Sequence, residues 1–277
     1  MDSSGRREEM LPPILDKLRE IESAANLIDL NHRDHLIHTF NTYLLGHYFT
    51  CSSDVLERKI RVAGFLNKWS FIATAHDLAY PLEIFSKQIS KYLKDVTKPA
   101  ANSNIKMEFN LKNLESFVSA GGTDYFSKIQ RYLDQSRIQL DIRKYFVKEL
   151  SDGYIDHGIF CALLLEKLFP DYQDITEVSS AIALHNIDSK IEISIERHPL
   201  AWLLILSDEL QEWDRKSSGR SELPPTGIDI CIKNKRIKVK MASDRQTCIL
   251  KEETIKKRLD FSEIDFGIDI QPMIKRY

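Results

Sequence analysis

The sequence is short of several things, and each shortage excludes a class of protein. No apolar run approaches the roughly 20 residues of a membrane-spanning helix; LAWLLIL (200–206) and FCALLL (160–165) are the longest and fall far below it. The opening MDSSGRREEM is charged and leads into no signal-type apolar core, so the expectation is a cytoplasmic protein with no membrane partner. No charge of one sign dominates: 39 basic and 41 acidic residues leave a formal net charge of -2, which gives no bulk attraction to nucleic acid or lipid. Cysteine is scarce. Cys51, Cys161, Cys231 and Cys248 are scattered and make no CxxC pair, which excludes a zinc ribbon and points to reduced thiols. A bound metal would therefore have to be held by carboxylates and by the eight histidines. Glycine and proline are sparse through the first two hundred residues, where apolar residues recur mostly at spacings of three and four.

That spacing predicts a mainly α-helical protein. Helices are expected over 12–30, 33–49, 62–79 and 82–96, in a long stretch over 124–150, and over 156–169, 177–187 and 199–215. TKPAANSN (97–104) is a loop by composition, and IKMEFNL within 105–122 suits a short strand. The texture changes near residue 216, where KSSGRSELPPTG reads as a linker. Beyond it Ile228, Ile230 and Ile232, then Ile237, Val239 and Met241, alternate as strands do, with a turn around Asn234. DFGIDIQP (265–272) suits a third strand. The organisation predicted is a helical domain over 1–215 and a linker with a small hairpin-containing piece over 216–277.

Several polar side chains stand in helices that should bury them. His76 and Asp77 sit side by side in FIATAHDLAY, and a buried carboxylate costs several kcal/mol unless compensated. His157 shares a face with Cys161, Leu164 and Leu168; His185 ends SAIALH; Asp208 follows PLAWLLILS; His38 lies beside Thr42 and Leu45. Each alone has an ordinary explanation as a satisfied core residue. His35 suits pairing with a neighbouring acid, as do His32 and His47, and His198 before Pro199 suits a helix N-terminus. Together the others run in order His, His-Asp, His, His, Asp, each at or within a helix. Imidazole and carboxylate suit zinc, iron, manganese, nickel or cobalt, and helical bundles build such sites between facing helices.

In HTFNTYLLG, TAHDLAYPLE, DHGIFCALLL, AIALHNID and LAWLLILSDELQEWDR the chain resembles the HD superfamily of metal-dependent phosphohydrolases, over about residues 30–215. The resemblance implies an HD-domain-like helical bundle with a small β-containing C-terminal appendage. It also implies that His38, His76, Asp77 and Asp208 hold one divalent ion, that Asp77 bridges to a second, and that His157 and His185 complete that second position. The cofactor implied is one or two ions among Mn, Fe, Ni, Co, Zn and Mg. The activity implied is hydrolysis of a phosphate ester (a nucleotide, a cyclic nucleotide or a related phosphodiester) by metal-activated water, with turnover dependent on Asp77.

The chain departs from the family directly after the dyad. Many members place Gly and often Lys there; this chain has Leu78, Ala79 and Tyr80. Tyr80, Lys87 and Arg215 are the candidates to meet substrate phosphate instead, although a cation at Arg215 also suits a helix C-terminus. Asn186 and Asp188 are either hydrogen-bond partners of the site or turn residues. The insertion over about 82–155 is expected to shape the pocket. Lys233, Lys235, Arg236, Lys238 and Lys240 form a cationic strip on the hairpin, with Lys238 and Lys240 on its outer face. A nucleic-acid backbone is the weaker reading of that strip and a solvated edge the stronger, because no aromatic residues are interleaved. The alternative function is an interaction or ligand-sensing module that keeps the fold without turnover.

Overall fold

The structure, a computed structural model, describes residues 35–97, 119–120, 123–187, 191–211 and 228–273. The helix expected over 12–30, most of the 97–104 loop and of 105–122, the 216–227 linker, and His32, Asp188 and Arg215 lie outside them. The described chain is mostly helical with a few strands towards its C-terminus. The helices of the body are α1 (His35–Cys51), α2 (Asp54–Ile60), α3 (Phe65–Ala75), α4 (Tyr80–Thr97), α5 (Tyr125–Gln135), α6 (Ile142–Ser151), α7 (His157–Leu168), α8 (Ile175–His185) and α9 (Pro199–Leu210). No helix among the described residues is long and apolar enough to cross a membrane.

Helices α8 and α9 lie at the centre. Both are apolar on every side, the pattern of a helix covered all round, and both bury nearly all their residues. Helix α7 packs along α8, α9 packs on α8 and α1, and α3 packs on α1. The α1–α3 contact is close because Gly46 has no side chain: a Cβ there would come within 2.1 Å of the Trp69 ring. Trp69 is fully buried, and its indole N–H donates to the Tyr43 carbonyl at 3.0 Å.

Two expected helices are shorter than their periodicity suggests. The stretch 62–79 is helical only over Phe65–Ala75, entered through left-handed Gly64, and residues 76–79 are turns. Pro81 supplies the reason. It has no N–H to bond the Asp77 carbonyl, and its ring would collide with that carbonyl in a continuing helix. The chain therefore stops, turns and restarts as α4 with Pro81 in the first turn, where the missing N–H costs nothing. Likewise 124–150 is two helices, α5 and α6, separated by a turn in which Arg137 has φ +61°.

The C-terminal residues contain the expected hairpin, β4 (Ile228–Lys233) against β5 (Arg236–Met241), closed at Asn234 and Lys235, which both have positive φ. The third strand, β7 (Gly267–Pro272), pairs with β5 in parallel, in sheet order β4-β5-β7. Parallel neighbours need a crossover, and here it is α10 (Arg245–Arg258), capped by Asp244. Helix α10 has no counterpart in the sequence reading: among its residues only Cys248 and Ile255 are buried, so it carries little periodic signal. Arg236, Lys238 and Lys240 alternate outward with buried Ile237, Val239 and Met241. This sheet-and-helix unit is joined to the body. Strand β6 (Leu259–Asp260) pairs in parallel with β3 (Ile193–Ser194), Trp202 Nε1 donates to the Asp260 carbonyl at 3.2 Å, and the Tyr48 hydroxyl donates to the Ile230 carbonyl at 2.8 Å. All four cysteines are free thiols. The short β1 (Ser119–Ala120) and β2 (Thr123–Asp124) pair with each other.

Candidate metal centre

Each side chain of the cluster arrives from a different place. His38 comes from the first turn of α1, and His76 and Asp77 from the turn that Pro81 enforces. His157 opens α7, His185 ends α8, and Asp208 stands in the last turn of α9. Asp156 aims His157 by capping α7, its carboxylate accepting from Ile159 N at 2.9 Å. Gly158, one residue on, lets α7 lie tight against α8: a Cβ there would meet the Ile182 carbonyl at 2.9 Å and the His185 ring at 3.1 Å.

These six side chains converge. His38 Nε2 lies 2.9 Å from Asp77 Oδ2, 3.2 Å from Asp208 Oδ1 and 2.9 Å from His76 Nε2. On the other side of Asp77, His157 Nε2 lies 3.2 Å and His185 Nε2 3.8 Å from Oδ1, and the two rings approach at 3.0 Å. Two groups of metal-compatible donors result, His38–His76–Asp77 and Asp77–His157–His185, with Asp77 common to both. All five residues are buried; Asp208 is a quarter exposed and stands at the mouth.

Hydrogen bonds behind the rings fix which nitrogen faces inward. His76 Nδ1 is bonded to the Ala73 carbonyl at 3.0 Å, His185 Nδ1 to the Ile182 carbonyl at 2.5 Å, and His157 Nδ1 to the Glu83 carboxylate. A carbonyl can only accept, so Nδ1 carries the proton and the neutral ring turns its Nε2 lone pair towards Asp77. Lone pairs and carboxylate oxygens crowded into one buried volume repel unless positive charge stands among them. The donor set therefore fits a divalent cation on each side of Asp77.

Without metal, protons take that role. Burial alone would lower His38, but Asp77 and Asp208 raise it to about 9. His157 is likewise raised to about 10 by Asp77 and Glu83 against the cost of burial. Burial and the neighbouring His157 and His76 charges lower His185 despite its bond to Asp77. Asp77 and Asp208 are held well below the usual carboxylate range, the surrounding imidazoles outweighing burial. Glu83 is lowered to about 2 by His157 and Lys87, again against burial.

A cleft of about 210 Å³ opens over the cluster, lined among others by Tyr80, Asn186, Glu209, Gln211 and Arg258. Tyr80 stands edge-on to the His157 ring, 5.4 Å between centroids. Lys87 does not line the cleft; its ammonium binds Glu83. Asn186 donates to Glu83 Oε2 at 3.3 Å. His47 has no acid partner among the described contacts: it packs on Tyr43 and Phe65, and burial and Arg61 lower its pKa. His198 precedes Pro199 at the start of α9, and burial lowers it to about 4.

Sequence reasoning missed two residues. Glu83 braces His157, and its signal was a carboxylate in the first turn of α4, three residues after Tyr80. Arg258 enters the cleft from α10, and no local signal marks it. No protein-family model matches the chain, and no curated protein or solved structure does.

Proposed function

We propose that this protein is an HD-like phosphohydrolase that uses one or two divalent ions to hydrolyse a phosphate ester of the nucleotide or phosphodiester kind. The observation that carries the reading is the convergence of four imidazole Nε2 atoms on Asp77, in two groups that share it, with the Asp208 carboxylate 3.2 Å from His38 Nε2. His38, His76, Asp77 and Asp208 would hold one ion, and Asp77, His157 and His185 the other. Bound ions would supply positive charge for the phosphoryl oxygens and acidify a water for in-line attack. The chain's own contribution is positioning. Backbone carbonyls and Glu83 keep the lone pairs aimed inward, the apolar packing of α8 and α9 excludes bulk water from behind the cluster, and the cleft over the cluster would receive the phosphoryl group.

A second reading keeps the site but not the turnover: a module that senses a phosphorylated ligand. Its support is the sequence after the dyad, where Leu78 and Ala79 are buried and no lysine lines the cleft among the described residues. Elemental analysis of the purified protein beside His76→Ala tests the metal. Nucleotides and generic phosphodiesters, screened with Mn, Ni, Co or Mg, then separate the readings. Metal without turnover of any ester leaves the sensor; equal, negligible metal in both proteins removes both.

A further inference from the structure

The charged residues that line the cleft beside the histidines are Asp77, Asp208, Glu209 and Arg258. Arg258 is the sole lysine or arginine among them in the described chain. It does not belong to the helical body. It ends α10 and is delivered to the cleft by β6, which begins at the next residue and pairs with β3. Its side chain is 12% exposed. Nη2 donates to the His185 carbonyl, and Nη1 faces Glu209 Oε1 at 3.4 Å.

These two contacts differ in kind. The carbonyl bond fixes the guanidinium beside His185, whose ring faces Asp77. The Glu209 contact is longer than the roughly 2.7–2.9 Å of a good charge-assisted bond, and a better-placed anion can displace it. Glu209 also lies 3.6 Å from Lys251 Nζ, so it keeps a cation when Arg258 turns away. A guanidinium presents five donors in a fixed fork that matches phosphate oxygens. The cleft is smaller than the roughly 300–1,000 Å³ of pockets that enclose a whole drug-sized ligand, so it encloses a phosphoryl group and leaves the rest of the ligand outside.

Resting on the phosphate-ester reading above, we propose that Arg258 is the anion-binding residue of the cleft, exchanging Glu209 for a phosphoryl oxygen of the ligand. The C-terminal sheet-and-helix unit thereby completes a site that the described residues of the helical body leave without a side-chain cation. Arg258 takes the place of the lysine that the residues after the dyad do not provide.

The test is equilibrium titration of inorganic phosphate into the full chain loaded with Mn²⁺, for wild type, Arg258→Gln and Arg258→Lys, with metal content measured in each. The expected result is binding at least about tenfold weaker in Arg258→Gln and an intermediate loss in Arg258→Lys, which keeps the charge but not the fork, with metal content unchanged. If Arg258→Gln fails to fold, the Lys variant carries the test. Phosphate binding equal to wild type in the folded variants overturns the proposal, and so does a metal-loaded wild type that binds no phosphate. Arg258-dependent phosphate binding without turnover of any ester supports the proposal and removes the hydrolase reading.

Discussion

His38, His76 and Asp208 make up one side of the cluster, and His157 and His185 the other, with Asp77 between. The first side brings two carboxylates into direct contact with its imidazoles: Asp208 Oδ1 is 3.2 Å and Asp77 Oδ2 2.9 Å from His38 Nε2. Among the described residues the second side has only Asp77 within the cluster. Its other carboxylate, Glu83, sits behind His157 on Nδ1. Coulomb attraction for a dication falls with each carboxylate moved out of contact, so of two bound ions the one on the first side would be held more tightly. The difference separates two uses of an acid near a metal: in contact it sets affinity, and behind an imidazole it sets orientation and basicity.

The largest effect expected is from the residue that both sides share. Asp77→Ala should empty both positions and lower turnover on the order of 1,000-fold or more, with the helical circular dichroism of wild type retained. Retention of ions on either side would show that Asp77 is not the common element. Next comes the difference itself. Chelator titration of loaded wild type should release metal in two steps; Asp208→Asn should remove the tighter step and His157→Ala the weaker. A single step in wild type would abolish the distinction between the sides.

Glu83→Gln sharpens the comparison. Losing the brace on His157 should weaken the second position by about 10–100-fold and leave the first unchanged, as read by the same titration. An equal loss at both positions would mean that Glu83 acts on the fold and not on one ring. The smallest effect concerns pH. In the metal-free protein His38 and His157 are raised to about 9 and about 10, above the ordinary 6.5, so below those values a metal must displace a proton from each. Apparent affinity should strengthen as pH rises from 6.5 towards 9, and titration calorimetry in buffers of different ionisation enthalpy should show protons released on loading. The stability sign runs the other way without metal. Groups raised above their unfolded value contribute fully below pH 6.5, and that contribution is lost as pH rises through 9 and 10. Metal-free protein should melt earlier on that alkaline side, and loaded protein should not.

Much of this was legible from the residues. Asp208 and His185 stand out because the helices around them are apolar on every side, and a buried charge there demands partners. The ends of helices were less legible. Periodicity carried the helix through 62–79, and the ring of Pro81 cut it at Ala75, which turned the His76–Asp77 pair from a helix face into a turn that can aim both side chains at one point. Helix α10 was hidden because it buries so little of its own surface. Arg258 was hidden with it, since what brings that side chain to the cleft is the pairing of β6 with β3.

The sequence by itself determined the donor types, the helical class of the body, the hairpin with its turn at Asn234, and the set of polar side chains that burial would force to find one another. Those follow from local geometry and from the cost of an uncompensated charge, both readable within a few residues. Only the tertiary structure decided that Glu83 braces His157 and that an arginine at the end of α10 lines the cleft. Each of these depends on where two distant backbones cross, and that is set by the packing of whole helices and strands, which no short stretch of residues encodes.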